Sequence, residues 1–397
     1  MVAHKVILPL DVSYARMTAQ LLLPSVHKDS VVDIVGHMLA MQGQSVYAFP
    51  HAAIIRSRES SITDVVEAFE RGDLVRHRPI RGTVHITRAQ DYHWLRQALN
   101  HKQGSFTSRQ EEFFGITEQT YQEAFNIACE LIACGGGSVR RRELFAAWIE
   151  CFSKAHAGQD AGEGNGRSLP QRFAQLLMWG LDRQGLLVEG PMRKNEHYFI
   201  DARRLPAADS AASGFYMDAT VPREQGLAEV AYRYARGHGP VSISDLARWA
   251  SLKKSTARNA LEENVYCGRL GRYIIVDNKL APLSAVAGSD VTFYCEPDLM
   301  DRAADYRHEA ERIFYLPSFD ELHVGYHNRT CLTDEMGERV ICPAGNGMFR
   351  SLIVDSGRVI AVFPSSGVEW IKAPTVTRQR QVQKVIDGIT QRMELLG

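Results

Sequence analysis

Apolar residues near the start of the chain recur with helical spacing: Val31, Val32, Ile34, Val35, Met38, Leu39 and Met41 share one face, and Asp29 and Ser30 precede them as caps. The pattern predicts a helix over 31–41. A second helix is predicted over 64–71, opened by Thr63 and closed by Gly72. Residues 74–86 then read as strand, turn, strand, and Thr87 caps a further helix. A similar order follows in the second block: helices over 117–133, 140–151 and 170–184, a polar glycine-rich loop over 158–167, and a hairpin from 185–190 and 197–200. The third block has helices over 227–236, 246–250 and 254–263, then a strand over 270–276. Three helices followed by a hairpin is the winged variant of the helix-turn-helix. The fourth block changes character, with strands predicted at 291–295, 340–341, 349–355 and 358–363, Ser356-Gly357 as a hairpin turn, and a terminal helix over 376–396.

These blocks predict domains over 1–112, 113–206, 215–285 and 286–397, with the small, polar stretch 207–214 as linker. The fold class is α+β. The last block is expected to be a small antiparallel β-barrel carrying the terminal helix.

Composition narrows the class. Of 397 residues, 45% are hydrophobic and 23% charged, as in a soluble globular protein. No apolar run approaches the roughly 18 residues that span a bilayer, and the first residues lack a signal peptide's long apolar region, so a cytoplasmic protein without membrane partners is expected. Seven scattered cysteines with no C-x-x-C pair argue against a zinc site or a disulfide framework. Phosphate-binding loops, H-E-x-x-H and G-x-S-x-G motifs are also absent.

The 46 basic and 46 acidic residues cancel, which disfavours indiscriminate nucleic-acid binding. Locally the balance differs. Between residues 74 and 110 lie Arg76, Arg78, Arg81, Arg88, Arg96, Lys102 and Arg109, against the single acid Asp91. His77, His85, His93 and His101, with Tyr92 and Trp94, are interleaved among them.

Several segments resemble the AlkZ-like family of winged-helix DNA glycosylases. Met41-Gln42-Gly43-Gln44 is similar to its glutamine pair, and Leu74-Val75-Arg76 with Ile80-Arg81-Gly82-Thr83-Val84-His85 to its hairpin. The stretch from Gly239-Pro240 to Trp249 resembles its third winged helix. Leu316-Pro317-Ser318-Phe319-Asp320, Gly325-Tyr326 and Arg329 resemble the entry to its barrel, and the segment 354–363 its final hairpin. The resemblance implies three tandem winged-helix motifs plus the barrel, curved around a DNA channel. It implies monofunctional excision of N-alkylated purines, including bulky adducts and interstrand crosslinks, with no metal or organic cofactor. Gly43 departs from the pattern, since the family usually carries an aliphatic residue there, and glycine adds backbone freedom that would loosen the two amides. Gln44 places the chain with double-glutamine members.

The implied chemistry suits amides. An N7-alkylated guanine is cationic and leaves readily, so the protein needs to position a water near C1′ and stabilise an oxocarbenium-like sugar. Gln42 and Gln44 each offer a carbonyl acceptor and an NH₂ donor, and an i, i+2 spacing on extended backbone places them on one side. Following the resemblance, both are assigned to water positioning and transition-state stabilisation. Candidate DNA-binding residues are His51, Arg56 and Arg58 after the motif, Arg76, Arg78, Arg81 and His85 in the hairpin, and Lys253, Lys254 and Arg258 on the third block's recognition helix. Arg193-Lys194 and Arg140-Arg141-Arg142 are weaker candidates from the second block. Asp320 with Glu321 is a possible acid pair, read here as holding a turn. The expected partner is double-stranded DNA with alkylated bases, bound by a monomer. Two alternatives stay open: a non-catalytic winged-helix DNA-binding regulator, and a scaffold for protein partners, which would show no salt-dependent DNA binding.

Overall fold

The computed structural model describes residues 6–99, 105–152, 168–206, 222–288 and 290–394. The linker expected over 207–214, the loop over 158–167, and His101 and Lys102 of the basic stretch lie outside the described residues.

A buried helix, Leu10–Ala19, opens the described chain, an element that the sequence pattern did not suggest. The helix expected over 31–41 is shorter, Val31–Met38, capped by the Ser30 hydroxyl, which accepts from Asp33 N. It ends because Leu39 adopts φ 68°, which turns the chain out of the helix and releases Met41–Gln42 as strand β1. A capping box of Ser61 and Asp64 starts the next helix at Ile62, earlier than expected. Strands β2 (Leu74–Ile80) and β3 (Thr83–Arg88) follow, joined by Arg81 and Gly82 at φ 52° and 69°. Two successive positive φ values are what a tight hairpin turn requires.

The second block has helices Glu118–Cys134, Arg141–Phe152 and Leu169–Gln184, with β4 (Val139–Arg140), β5 (Leu187–Arg193) and β6 (Glu196–Asp201). Six antiparallel strands form one sheet in the order β1-β3-β2-β5-β6-β4, so the first two blocks share it through the pairing of Arg76 with Glu189. In the third block, helices Arg223–His238, Ile243–Trp249 and Lys254–Tyr266 precede β8 (Gly271–Val276) and β9 (Lys279–Pro282), with β7 at Val241–Ser242. The strand expected to open the fourth block, β10 (Phe293–Cys295), joins this sheet instead, between β7 and β8.

Among the described residues the fourth block closes no barrel. Its strands β11 (Ile313–Leu316), β12 (Ser351–Asp355), β13 (Arg358–Phe363) and β14 (Glu369–Trp370) form an open antiparallel sheet in that order. The segment expected as a strand at 340–341 belongs to helix Glu335–Ile341, which removes a strand from any closure. The terminal helix Val376–Glu394 covers one face instead, burying Val382 and Ile386 against Ile353 and Ala361.

One core crosses the block boundaries: Leu39, Ile80 and Trp94 pack with Tyr234, Trp249 and Tyr326. Three buried ion pairs do the same. Arg16 meets Asp245 at 3.3 Å, Arg233 meets Asp91 at 2.8 Å, and Arg56 grips both oxygens of Asp320 at 2.8 and 2.9 Å. Replacing one member strands a buried charge. Arg56→Met is therefore expected to cost about 3–5 kcal/mol, measured by thermal or denaturant unfolding. A melting temperature equal to the parent's would show that the Arg56 pair carries little of the fold.

Candidate active site

Strand β1 lies at the sheet edge against β3, with Met41 opposite Ile86 and Gln42 opposite His85. Beyond it the Gly43 N–H still donates to Val84 O at 2.9 Å, and the chain bends from Gln44. The extended run is therefore shorter than the i, i+2 argument assumed. Gly43 is held on every side. Its carbonyl accepts from Arg76 Nε at 3.1 Å, and a Cβ built on it would sit 3.0 Å from Ile86 Cδ1. Its φ is not in the left-handed region, and the Ile86 side chain packs against the place a Cβ would take.

The Gln42 amide has a defined orientation. His85 is fully buried, and its Nδ1 lies 2.9 Å from the Thr83 carbonyl, which only accepts, so Nδ1 carries the proton. Burial, with Arg81 acting in the same direction, lowers its pKa to about 4 against the opposing pull of Glu321 and Thr83, so the ring is neutral at neutral pH. Nε2 is then an acceptor, and it takes the Gln42 Nε2–H at 3.2 Å. That commits the NH₂ end of Gln42 to the protein and leaves Oε1 with no hydrogen-bond donor among the described residues. Gln42 is half-buried and Gln44 exposed, so both stand at the surface of the site.

Beneath Gln42 sits Glu321. An edge strand leaves alternate N–H groups unpaired, and the Gln42 N–H is one. Glu321 Oε1 accepts it at 3.0 Å, while Oε2 lies 3.3 Å from His238 Nε2. Phe319 at φ 61° turns the chain just before. Asp320 then faces Arg56 and caps Leu322 N at 3.0 Å, as the turn reading expected, whereas Glu321 reaches the glutamine motif.

The candidate DNA-binding residues separate into groups. His51, Arg56 and His85 are corrections, and His85 is fully buried with its two ring nitrogens on Thr83 O and the Gln42 amide. His51 is buried with Nε2 2.9 Å from Tyr315 O, and burial lowers its pKa to about 4. Arg56 is wholly buried between Asp320 and Gln20. None of these side chains is available to DNA. Arg76 and Arg78 are mostly buried and neutralised from the neighbouring block, Arg76 by Glu189 and Arg78 by Asp182 at 3.5 Å. Arg58 is exposed near Asp29 at 3.4 Å. Arg81 is half-buried at the hairpin tip, its Nη1 3.5 Å from Arg248 O, and pairs with no acid among the described residues. Lys253, Lys254 and Arg258 are exposed on one helix, with Lys254 3.5 Å from Asp290. In the second block, Arg193 pairs with Glu70 and Arg140 with Glu196.

The sequence reading missed a basic cluster on the site's far side. Arg248 Nη1 donates to the carbonyls of Val324 and Tyr326, both at 3.0 Å, and Arg329 pairs with Glu338 at 2.7 Å. Burial chiefly, then the charges of Arg81 and Arg329, lower the pKa of Arg248, so Arg248 lies in the field of both other guanidiniums. Only contacts distant in sequence reveal this cluster. No group of three His, Cys, Asp or Glu side chains that could hold a metal ion occurs among the described residues, and no described helix is long and apolar enough to cross a membrane.

Two comparisons with known proteins give matches, and both span most of the chain. The sequence profile described as "DNA glycosylase AlkZ-like" matches residues 35–369. No curated protein sequence matches the chain. The fold is similar to that of the DNA glycosylase AlkZ from Streptomyces sahachiroi, with a TM-score of 0.63 and 16% identity over 96% of each chain.

The tautomer argument has a direct readout. The His85 ring is expected to titrate at about pH 4 in the folded protein, against about 6.5 when unfolded. The unfolded chain binds the extra proton across that window, so stability falls as pH drops from 6.5 towards 4. An NMR titration assigned with a His85→Asn variant checks this, and titration near 6.5 would remove the basis for the Gln42 orientation.

Proposed function

We propose that the chain, which belongs to the DNA glycosylase AlkZ-like family, hydrolyses the N-glycosidic bond of N-alkylated purines in double-stranded DNA, with N7-alkylguanine as the basic substrate type. The observation that carries the reading is the orientation of Gln42: its NH₂ is tied to neutral His85, which leaves its carbonyl without a donor among the described residues on a half-buried side chain. A carbonyl held this way accepts a hydrogen bond from a water and turns its oxygen towards positive charge developing on the sugar. Gln44 supplies a second amide to the same water.

In the proposed reaction the C1′–N9 bond breaks with its electron pair going to the base, which neutralises the cationic alkylpurine. Water adds to C1′ and releases one proton to solvent, leaving an abasic site. The base leaves without a strong general acid, which fits two neutral amides in place of a carboxylate pair. No covalent intermediate is needed, so the activity is monofunctional. Bulky N7 adducts and interstrand crosslinks are natural extensions of the substrate range.

The helix-and-hairpin units over 1–112, 113–206 and 215–285 are proposed as three winged helices on a fourth unit, 286–397, acting as a monomer. Exposed Lys253, Lys254 and Arg258 are assigned to phosphate contacts, together with Arg58 and half-buried Arg81.

Two measurements test the reading. Duplex DNA carrying N7-methylguanine, incubated with the protein and then treated with alkali, is expected to break at the lesion. A Gln42→Ala, Gln44→Ala variant is expected to lose about 10²–10³-fold in rate. No cleavage here or on a nitrogen-mustard crosslink would favour a DNA-binding regulator, and cleavage before alkali would make the enzyme a lyase. For binding, replacing Lys253, Lys254 and Arg258 with Ala is expected to lower the salt-dependence slope on undamaged duplex by about 2–3. An unchanged slope would place the phosphate contacts elsewhere.

A further inference from the structure

The protein buries several carboxylates, and most meet a guanidinium. Asp91 faces Arg233, Asp245 faces Arg16, Asp320 faces Arg56 and Glu189 faces Arg76. Glu321 differs. It is only 2% exposed, yet among the described residues no lysine or arginine pairs with it. Its partners are an imidazole, His238 Nε2 at 3.3 Å, and a peptide group, Gln42 N at 3.0 Å. Burying a charge without a countercharge is costly, and such groups concentrate at functional sites.

The field of Glu321 is not confined to these contacts. It acts on His85, the residue that orients the Gln42 amide, where it opposes the effect of burial. The carboxylate thus bears on Gln42 twice: through its peptide directly, and through the imidazole that holds its side chain. The reaction proposed above begins with a cationic base and passes through a cationic sugar, and a buried anion beneath that position favours both.

We infer that Glu321 is a positioning residue of the glycosylase site, which fixes the Gln42 peptide and presents a carboxylate that no guanidinium or ammonium among the described residues pairs with, so that its charge favours the oxocarbenium-like sugar. The inference rests on the glycosylase reading. It separates into a contact and a charge, and the two can be varied independently. In the Glu321→Gln variant the amide oxygen still accepts from Gln42 N, and the NH₂ donates to His238 Nε2 once that ring takes its other tautomer. His238 Nδ1 has no hydrogen-bond partner among the described residues, so the switch breaks no hydrogen bond there. The contacts survive and the charge is gone. In Glu321→Asp the charge stays and the reach shortens.

Two readouts are needed on the parent and both variants. One is the single-turnover excision rate on N7-methylguanine duplex, with melting temperature as the control. The other is the ratio of affinities for duplexes carrying a cationic pyrrolidine abasic analogue or the neutral tetrahydrofuran analogue, which a purely structural role would not move. Glu321→Gln is expected to excise on the order of tenfold more slowly and to lose the preference for the cationic analogue, whereas Glu321→Asp keeps that preference. Parental rate and preference in a folded Glu321→Gln variant would overturn the inference. If Glu321→Gln does not fold, Glu321→Asp decides, because loss of the preference with the charge retained overturns it equally. A parent that excises nothing defeats the glycosylase reading itself, and is told apart by the parent alone.

Discussion

The geometry of the site depends on a buried ion pair outside it. Arg56 holds both oxygens of Asp320, and both side chains are fully buried. That grip is bidentate, so it fixes the direction of the chain as well as its distance. Phe319 occupies a left-handed conformation that a bulky side chain rarely adopts, at a cost of about 1–3 kcal/mol. The pair next to it keeps the chain there. The result is that two adjacent acids point to different places: one into the fold's internal bracing, the other to the underside of the glutamine motif.

From this bracket the site draws on three parts of the chain. Gln42 and His85 come from the first block, His238 from the end of a third-block helix, and Glu321 from the fourth. Tyr326 binds them further, donating to His238 O at 2.8 Å while accepting from Gln20. The first block orients the Gln42 side chain through His85, while the Gln42 peptide is met by Glu321 of the fourth block and Glu321 by His238 of the third.

What was legible in the sequence was local. The hairpin with Arg81-Gly82, the Ser30 cap and the glutamine pair are written in neighbouring residues, and resemblance to a family supplied the role of the pair. What was not legible depended on contacts between residues hundreds of positions apart. Arginine is by default a surface residue, so Arg56 read as a DNA contact, and nothing near it in sequence betrays Asp320. His51 fails in the same way. Glu321 and Asp320 read as one turn-holding pair because their spacing does not reveal that the backbone reverses between Ser318 and Asp320. The barrel was over-read because a short apolar stretch suits a helix end as well as a strand, as Val340 and Ile341 demonstrate.

Gly43 carries a consequence for how such a site can change over time. Its missing side chain and the Ile86 side chain claim one volume, since a methyl placed at 43 would meet Ile86 Cδ1 at 3.0 Å. The two positions therefore trade bulk. A chain with an aliphatic residue between its glutamines needs a smaller or rotated neighbour on the adjoining strand, and this one has spent that space on the neighbour. A side chain at position 43 therefore requires the Ile86 side chain to give way by a few tenths of an ångström, so the room at the motif's middle residue is set from another strand.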